Sequence, residues 1–157
     1  MRCAIGADDT GPLTDALLAE LARREIATER FGALRSVDRE DSGGRDDAEW
    51  ASIGRCVGEA VAARRADVGI VCCYTGTGIS IAANKVRGVR AALCGDAATA
   101  TGARRWNDAN VLALSLRATS ATVGLEILDA FLATAPSAEP ADRASIEKLE
   151  ADIPNPG

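Results

Sequence analysis

The chain has 157 residues, 47% of them hydrophobic and 26% charged, with a formal net charge of −5. That size and balance predict one globular domain over residues 1–150, followed by a short tail at 151–157. An acidic charge without a Lys/Arg run argues against a nucleic-acid partner, and the absence of a membrane-length apolar run or a charged-then-apolar leader argues against membrane insertion or export.

Residues 3–5 form a short apolar run that ends in Gly6-Ala7-Asp8-Asp9-Thr10-Gly11. Leu13, Leu17, Leu18 and Leu21 then fall at helical spacing. A weaker run over 27–34 leads into a polar loop at 38–47. Residues 50–63 predict a helix with Ile53, Val57, Ala60 and Val61 on one face. Residues 68–73 are almost continuously apolar, as in a strand covered on both faces. Gly76 and Gly78 follow, and 79–85 suits the start of a helix. Further strands are predicted at 89–93 and 110–114, and helices at 97–106 and 123–132. After Pro136 and Pro140 comes a last polar helix at 141–149. The alternation predicts an α/β, Rossmann-like three-layer sandwich, with a five-stranded parallel sheet, helices on both faces and an extra C-terminal helix. Ligands in such folds bind at the carboxyl ends of the strands. That singles out the loops at 6–11 and 73–80.

Histidine is absent, which removes the commonest general base and transition-metal ligand. The five cysteines are odd in number, and three sit in apolar strand-like runs. They read as buried free thiols of a reducing, cytoplasmic protein.

The stretch Cys73-Tyr74-Thr75-Gly76-Thr77-Gly78-Ile79-Ser80 ends a strand and opens a helix. Glycines there let several N–H groups converge on one point, and a helix N-terminus adds a positive field. The arrangement suits a bound anion or a developing oxyanion, and the same field favours the thiolate of Cys73. A tight turn beside a buried cysteine is the plainer alternative, and the local pattern alone leaves both open.

The neighbouring residues add more. Ser80-Ile81-Ala82-Ala83-Asn84-Lys85, Gly88-Val89-Arg90-Ala91 and Asn107-Asp108-Ala109-Asn110-Val111-Leu112 follow at fixed spacing. Together with the loop, they resemble the C-G-T-G-x-G-x-S-I-A-A-N-K, G-x-R-A and H-N-D-x-N-V-L signatures of the ribose-5-phosphate isomerase B and galactose-6-phosphate isomerase family. Ala4-Ile5-Gly6-Ala7-Asp8-Asp9-Thr10-Gly11 resembles that family's A-I-G-S-D-H-A-G. The resemblance implies aldose–ketose isomerisation through a cis-enediolate, without metal or organic cofactor. It implies Cys73 as the base, Thr75 as a hydroxyl relay and the backbone of 76–80 as the oxyanion site. It also implies a small-molecule substrate bound by Asp8, Asp9, Gly76, Thr77, Gly78, Ser80, Trp106, Asn107 and Arg143. A homodimer or dimer of dimers would share its active sites between subunits.

The departures from the family cluster at the substrate. Asp9 stands where the family has a histidine, and Trp106 replaces the histidine of H-N-D. Asp46-Asp47-Ala48 aligns with a sugar-contacting D-Y-P, and Tyr74 stands in place of glycine. Arg143 alone remains of two C-terminal arginines. A carboxylate added among lost cations repels a phosphate dianion, so the substrate is expected to differ from ribose 5-phosphate. A second reading is an epimerase or tautomerase acting on a non-phosphorylated metabolite in a pocket of Asp8, Asp9 and Asp47. A third is a non-catalytic binding paralogue or partner subunit. If the replaced glycine uses positive φ, Tyr74 is strained and tilts the oxyanion donors. Trp106 reads equally as a plug or as a wall of the pocket. Asp8 reads as a helix cap or a hydroxyl contact, and Arg143 as a substrate contact or a solvated charge.

Overall fold

The computed structural model describes residues 1–35 and 49–151. Five parallel strands stand in the order β2-β1-β3-β5-β4: β1 (Arg2–Ala7), β2 (Ala27–Gly32), β3 (Val68–Cys73), β4 (Ala91–Leu93) and β5 (Val111–Ser115). The helices are α1 (Pro12–Arg23), α2 (Trp50–Ala62), α3 (Thr77–Asn84), α4 (Ala97–Asn107), α5 (Ala121–Ala133) and α6 (Pro140–Ala151). The predicted Rossmann-like sandwich is the observed architecture.

The sheet separates two cores. On one face, Leu13, Leu17 and Leu21 of α1 and Ile127, Leu128 and Phe131 of α5 pack on alternate strand residues, among them Cys3, Ile5 and Cys72. On the other, Ile53, Val57 and Val61 of α2 and Ile79 of α3 cover Ala4, Val71 and Cys73. All six residues of β3 are buried, which is why its sequence is apolar without alternation.

Local chemistry fixes the helix starts. Pro12 opens α1, and the Thr14 hydroxyl exchanges hydrogen bonds with the N–H and C=O of Gly11 at 2.9 Å each. Asp96 caps α4 by accepting from the Thr99 N–H at 2.7 Å, and Ser120 caps α5 through the Val123 N–H at 3.2 Å. α6 buries no residue.

Some boundaries differ from expectation. β4 starts at Ala91 rather than 89, because Gly88 turns the chain at φ +82 and the Arg90 N–H goes to the Asn110 side chain at 2.8 Å. β5 begins one residue late, because Asn110 faces Arg90 and Gly88 with its amide. α3 starts at Thr77 rather than 79, because Gly76 at φ +76 completes the turn by itself. A Cβ at Gly76 would lie 2.6 Å from Leu93 Cδ1 and 2.9 Å from the Leu114 carbonyl carbon. The polar loop at 38–47, with Asp46, Asp47 and Ala48, and the tail beyond Ala151 lie outside the described residues. No helix among the described residues is long and apolar enough to cross a membrane.

Candidate active site

β1 and β3 are neighbours, yet α1 after β1 and α3 after β3 leave for opposite faces of the sheet. The carboxyl ends of these two strands therefore open a crevice at the switch in strand order. The Asp8 N–H donates to the Cys72 carbonyl at 3.4 Å, which holds the two loops together.

The loop after β5 joins them. The Cys73 carbonyl accepts from the N–H groups of Gly76 at 3.2 Å and Leu116 at 2.9 Å. The Tyr74 carbonyl accepts from the Arg117 N–H at 3.1 Å and the Ser115 hydroxyl at 2.9 Å. The Arg117 guanidinium lies over the Tyr74 ring, 5.8 Å from its centre. A cavity of about 460 Å³ opens beside this pair, lined also by Asp8, Asp9, Leu13 and Leu116. Arg117 is the one cation among its described lining residues.

Tyr74 is unstrained. Positive φ among the described non-glycine residues is confined to Glu25, Arg64 and Asp108. The strain expected on a conditional reading of position 74 does not arise. The ring is 67% exposed, so it is free to shape the cavity mouth.

Cys73 ends β3 nearly buried, on the α2/α3 side of the sheet, whereas Cys72 points into the opposite core. Burial pushes the Cys72 thiol up to about 12, so it stays protonated and fills space. Thr75 and Thr77 touch through their hydroxyls at 2.7 Å. No side chain caps α3. Among the described residues, the N–H groups of Thr77, Gly78 and Ile79 find no acceptor, and those of the exposed Thr77 and half-buried Gly78 remain available to an anion. Ser80 is buried one turn in. Trp50 lies across Gly78, where a Cβ would stand 3.0 Å from the indole, so any side chain there would press on the ring.

Asp8 does not cap α1, whose N-cap carries no side-chain hydrogen bond. Burial raises its carboxyl above the ordinary value, its own backbone N–H opposes this, and the neighbouring Asp9 charge adds to the rise. Asp9 accepts from the Thr10 N–H at 2.8 Å.

Trp106, Asn107 and Arg143 do not join this group. α4 begins at the carboxyl end of β4 and ends before β5, so its last residues sit at the amino end of the sheet. An eleven-residue helix is about 16 Å long. Trp106 packs over Gly102 of its own helix and stays 56% exposed. Arg143 lines a separate cavity with Asp108, Ser137 and Glu147.

Two signature residues prove to be scaffold. Asn84 clamps Ala91 through both backbone groups, at 2.8 and 2.9 Å. Arg90 donates to the Asp108 carbonyl at 2.9 Å and carboxylate at 3.0 Å, and pairs with Glu150 of α6. Arg117 was not anticipated from the sequence. It lies just past a strand end, which is the signal that could have found it. But chain order puts β4 beside β3, and only the folded sheet shows that β5 takes that place.

The match to the ribose/galactose isomerase family model runs over residues 3–149. This chain belongs to that family. It is 46% identical over 79 residues to the galactose-6-phosphate isomerase subunit LacB of Clostridium acetobutylicum, a stretch covering 50% of this chain. The chain spans about half the length, 46%, of that curated relative. It is 31% identical over 133 residues to the ribose-5-P isomerase B of Listeria innocua, covering 84% of each. The ribose-5-phosphate isomerase B structure of Clostridium thermocellum superposes with a TM-score of 0.82 at 35% identity, covering 96% of both chains.

Proposed function

We propose that this family member is an aldose–ketose isomerase of the sugar or sugar-phosphate class, with Cys73 as its base and a substrate changed from ribose 5-phosphate. The observation that carries the reading is the placement of Cys73. It ends β3 three residues before the left-handed turn at Gly76, and the uncapped N-terminus of α3 follows at once.

The Cys73 thiolate takes a proton from the carbon beside the carbonyl and returns it to the former carbonyl carbon. The N–H groups of Thr77 and Gly78 stabilise the enediolate oxygen between the two transfers. The Thr75 hydroxyl carries the remaining proton from one substrate oxygen to the other. One carbon is oxidised as its neighbour is reduced, so the net step calls for no external redox partner. Asp8 and Asp9 bind hydroxyls, and Arg117 takes a single anionic group. Two carboxylates against one cation disfavour a phosphate dianion.

The site is completed by a second copy, as a homodimer or a dimer of dimers. Trp106, Asn107 and Arg143 sit at the far end of their own sheet and reach a Cys73 loop only on a neighbouring subunit. Five cysteines, none of them in a disulfide, suit a reducing cytoplasm.

The acidic lining also favours a second reading, an epimerase or tautomerase using the same thiolate on a non-phosphorylated metabolite. Proton NMR in deuterated buffer separates the readings, with ribose 5-phosphate, ribose and open-chain hydroxy-carbonyl compounds as substrates. Isomerisation confined to non-phosphorylated compounds supports the proposal. Efficient conversion of ribose 5-phosphate overturns the changed substrate, and exchange with inversion but no isomerisation favours the epimerase. Wild-type silence, with ligand binding kept in Cys73→Ala, points to a binding paralogue.

A further inference from the structure

The Thr75 and Thr77 side chains face the same way across Gly76, because its left-handed backbone folds the loop back on itself. Their oxygens are 2.7 Å apart and both residues are exposed. Neither hydroxyl caps α3. Each can donate one hydrogen bond and accept more, so one proton lies between them and the other points outward. When Thr77 donates, Thr75 offers its own proton to whatever lies in front of it. When Thr75 donates, it offers lone pairs there instead. A concerted turn of both hydroxyls converts one state into the other.

We propose that Thr77 is a positioning residue for the isomerisation, holding the Thr75 hydroxyl so that its donor and acceptor states exchange as a pair. The inference rests on the reading of Cys73 and Thr75 above. The balance closes on the substrate. The hydroxyl proton of one enediol oxygen passes to Thr75 Oγ, and the proton Thr75 already holds passes to the other oxygen. Thr77 gains and loses nothing overall, and Cys73 handles the carbon-bound proton alone. A lone Thr75 would have to find each orientation by free rotation against water, so the pair sets the rate of proton transfer and not the affinity for substrate.

Thr77→Val tests this, because valine keeps the branched shape and removes only the hydroxyl. Turnover is followed by proton NMR on ribose 5-phosphate, ribose and glyceraldehyde. On the compound that the wild-type protein converts, kcat of Thr77→Val falls on the order of tenfold, below the range of a group that itself transfers the proton. KM and Tm stay unchanged, and Thr77→Ser restores most of the rate. Thr75→Val/Thr77→Val loses no more than Thr75→Val alone, as expected of two groups acting as one. Wild-type kcat in Thr77→Val, or losses that multiply in the double variant, overturns the inference while the function stands. Wild-type silence on all three compounds overturns the proposed function and this inference with it.

Discussion

Arg117 is tied to Tyr74 twice, by its backbone N–H to the Tyr74 carbonyl at 3.1 Å and by its guanidinium 5.8 Å from the ring centre. An exposed cation–π contact contributes about 0.5–1 kcal/mol. Tyr74→Leu and Arg117→Met should therefore show a coupling of about that size in a urea-unfolding double-mutant cycle. Additive effects would mean that the stacking contributes nothing and that the backbone bond alone aims Arg117.

Gly76→Ala is expected to cost about 1–3 kcal/mol from the left-handed backbone alone, with the approach to Leu93 and Leu114 adding to it. Chemical unfolding measures the loss. Because the same turn aims the first N–H groups of α3, any turnover should fall further than stability does. A variant as stable as wild type would show that the loop re-forms another way.

Asp8→Asn should raise Tm near neutral pH. Burial raises the Asp8 carboxyl in the folded state above the ordinary value near 3.8, so the fold holds this proton more tightly than the unfolded chain does. Its contribution is present below the ordinary carboxylate value and is lost as pH rises through the raised one. The asparagine carries no such penalty. The Tm difference between the two proteins should shrink as pH falls below about 4, and a difference that grows on acidification would reverse the argument.

Arg90→Met should loosen the C-terminal helix. The Arg90 side chain is 15% exposed and joins Asp108 to Glu150. Hydrogen bonds to charged groups contribute roughly 1.5–3 kcal/mol, and α6 buries no residue that could replace them. Amide exchange should rise across 140–151 more than in α5. Unchanged protection there would place the hold on α6 elsewhere.

The architecture was readable in the chain because each layer left its own period. Leu13, Leu17 and Leu21 repeat as a helix facing a sheet, and 68–73 is apolar throughout because β3 is covered on both sides. The Cys73 loop was legible for a related reason, since glycines at 76 and 78 answer to backbone geometry and to the Trp50 ring. The placement of Arg117 was not legible, because it depends on β5 lying beside β3, an order that local pattern does not encode. The separation of Trp106 from Cys73 follows instead from the parallel alternation, which carries the end of α4 to the amino end of the sheet. Asn84 and Arg90 stand in the signature, but nothing in a sequence separates a residue that binds a ligand from one that, like these two, binds backbone.

The strand order also sets a sequence of events during synthesis. β4 leaves the ribosome before β5, yet its place at the sheet edge is beside β5. Ala91–Leu93 must wait unpaired until Val111–Ser115 arrives and enters between it and β3. Two ladders then close in one late step, of the long-range kind that slows folding. The Cys73 and Tyr74 carbonyls find Leu116 and Arg117 only at that moment. A nascent chain that stops short of residue 117 therefore carries the thiol without the turn that would put it to use.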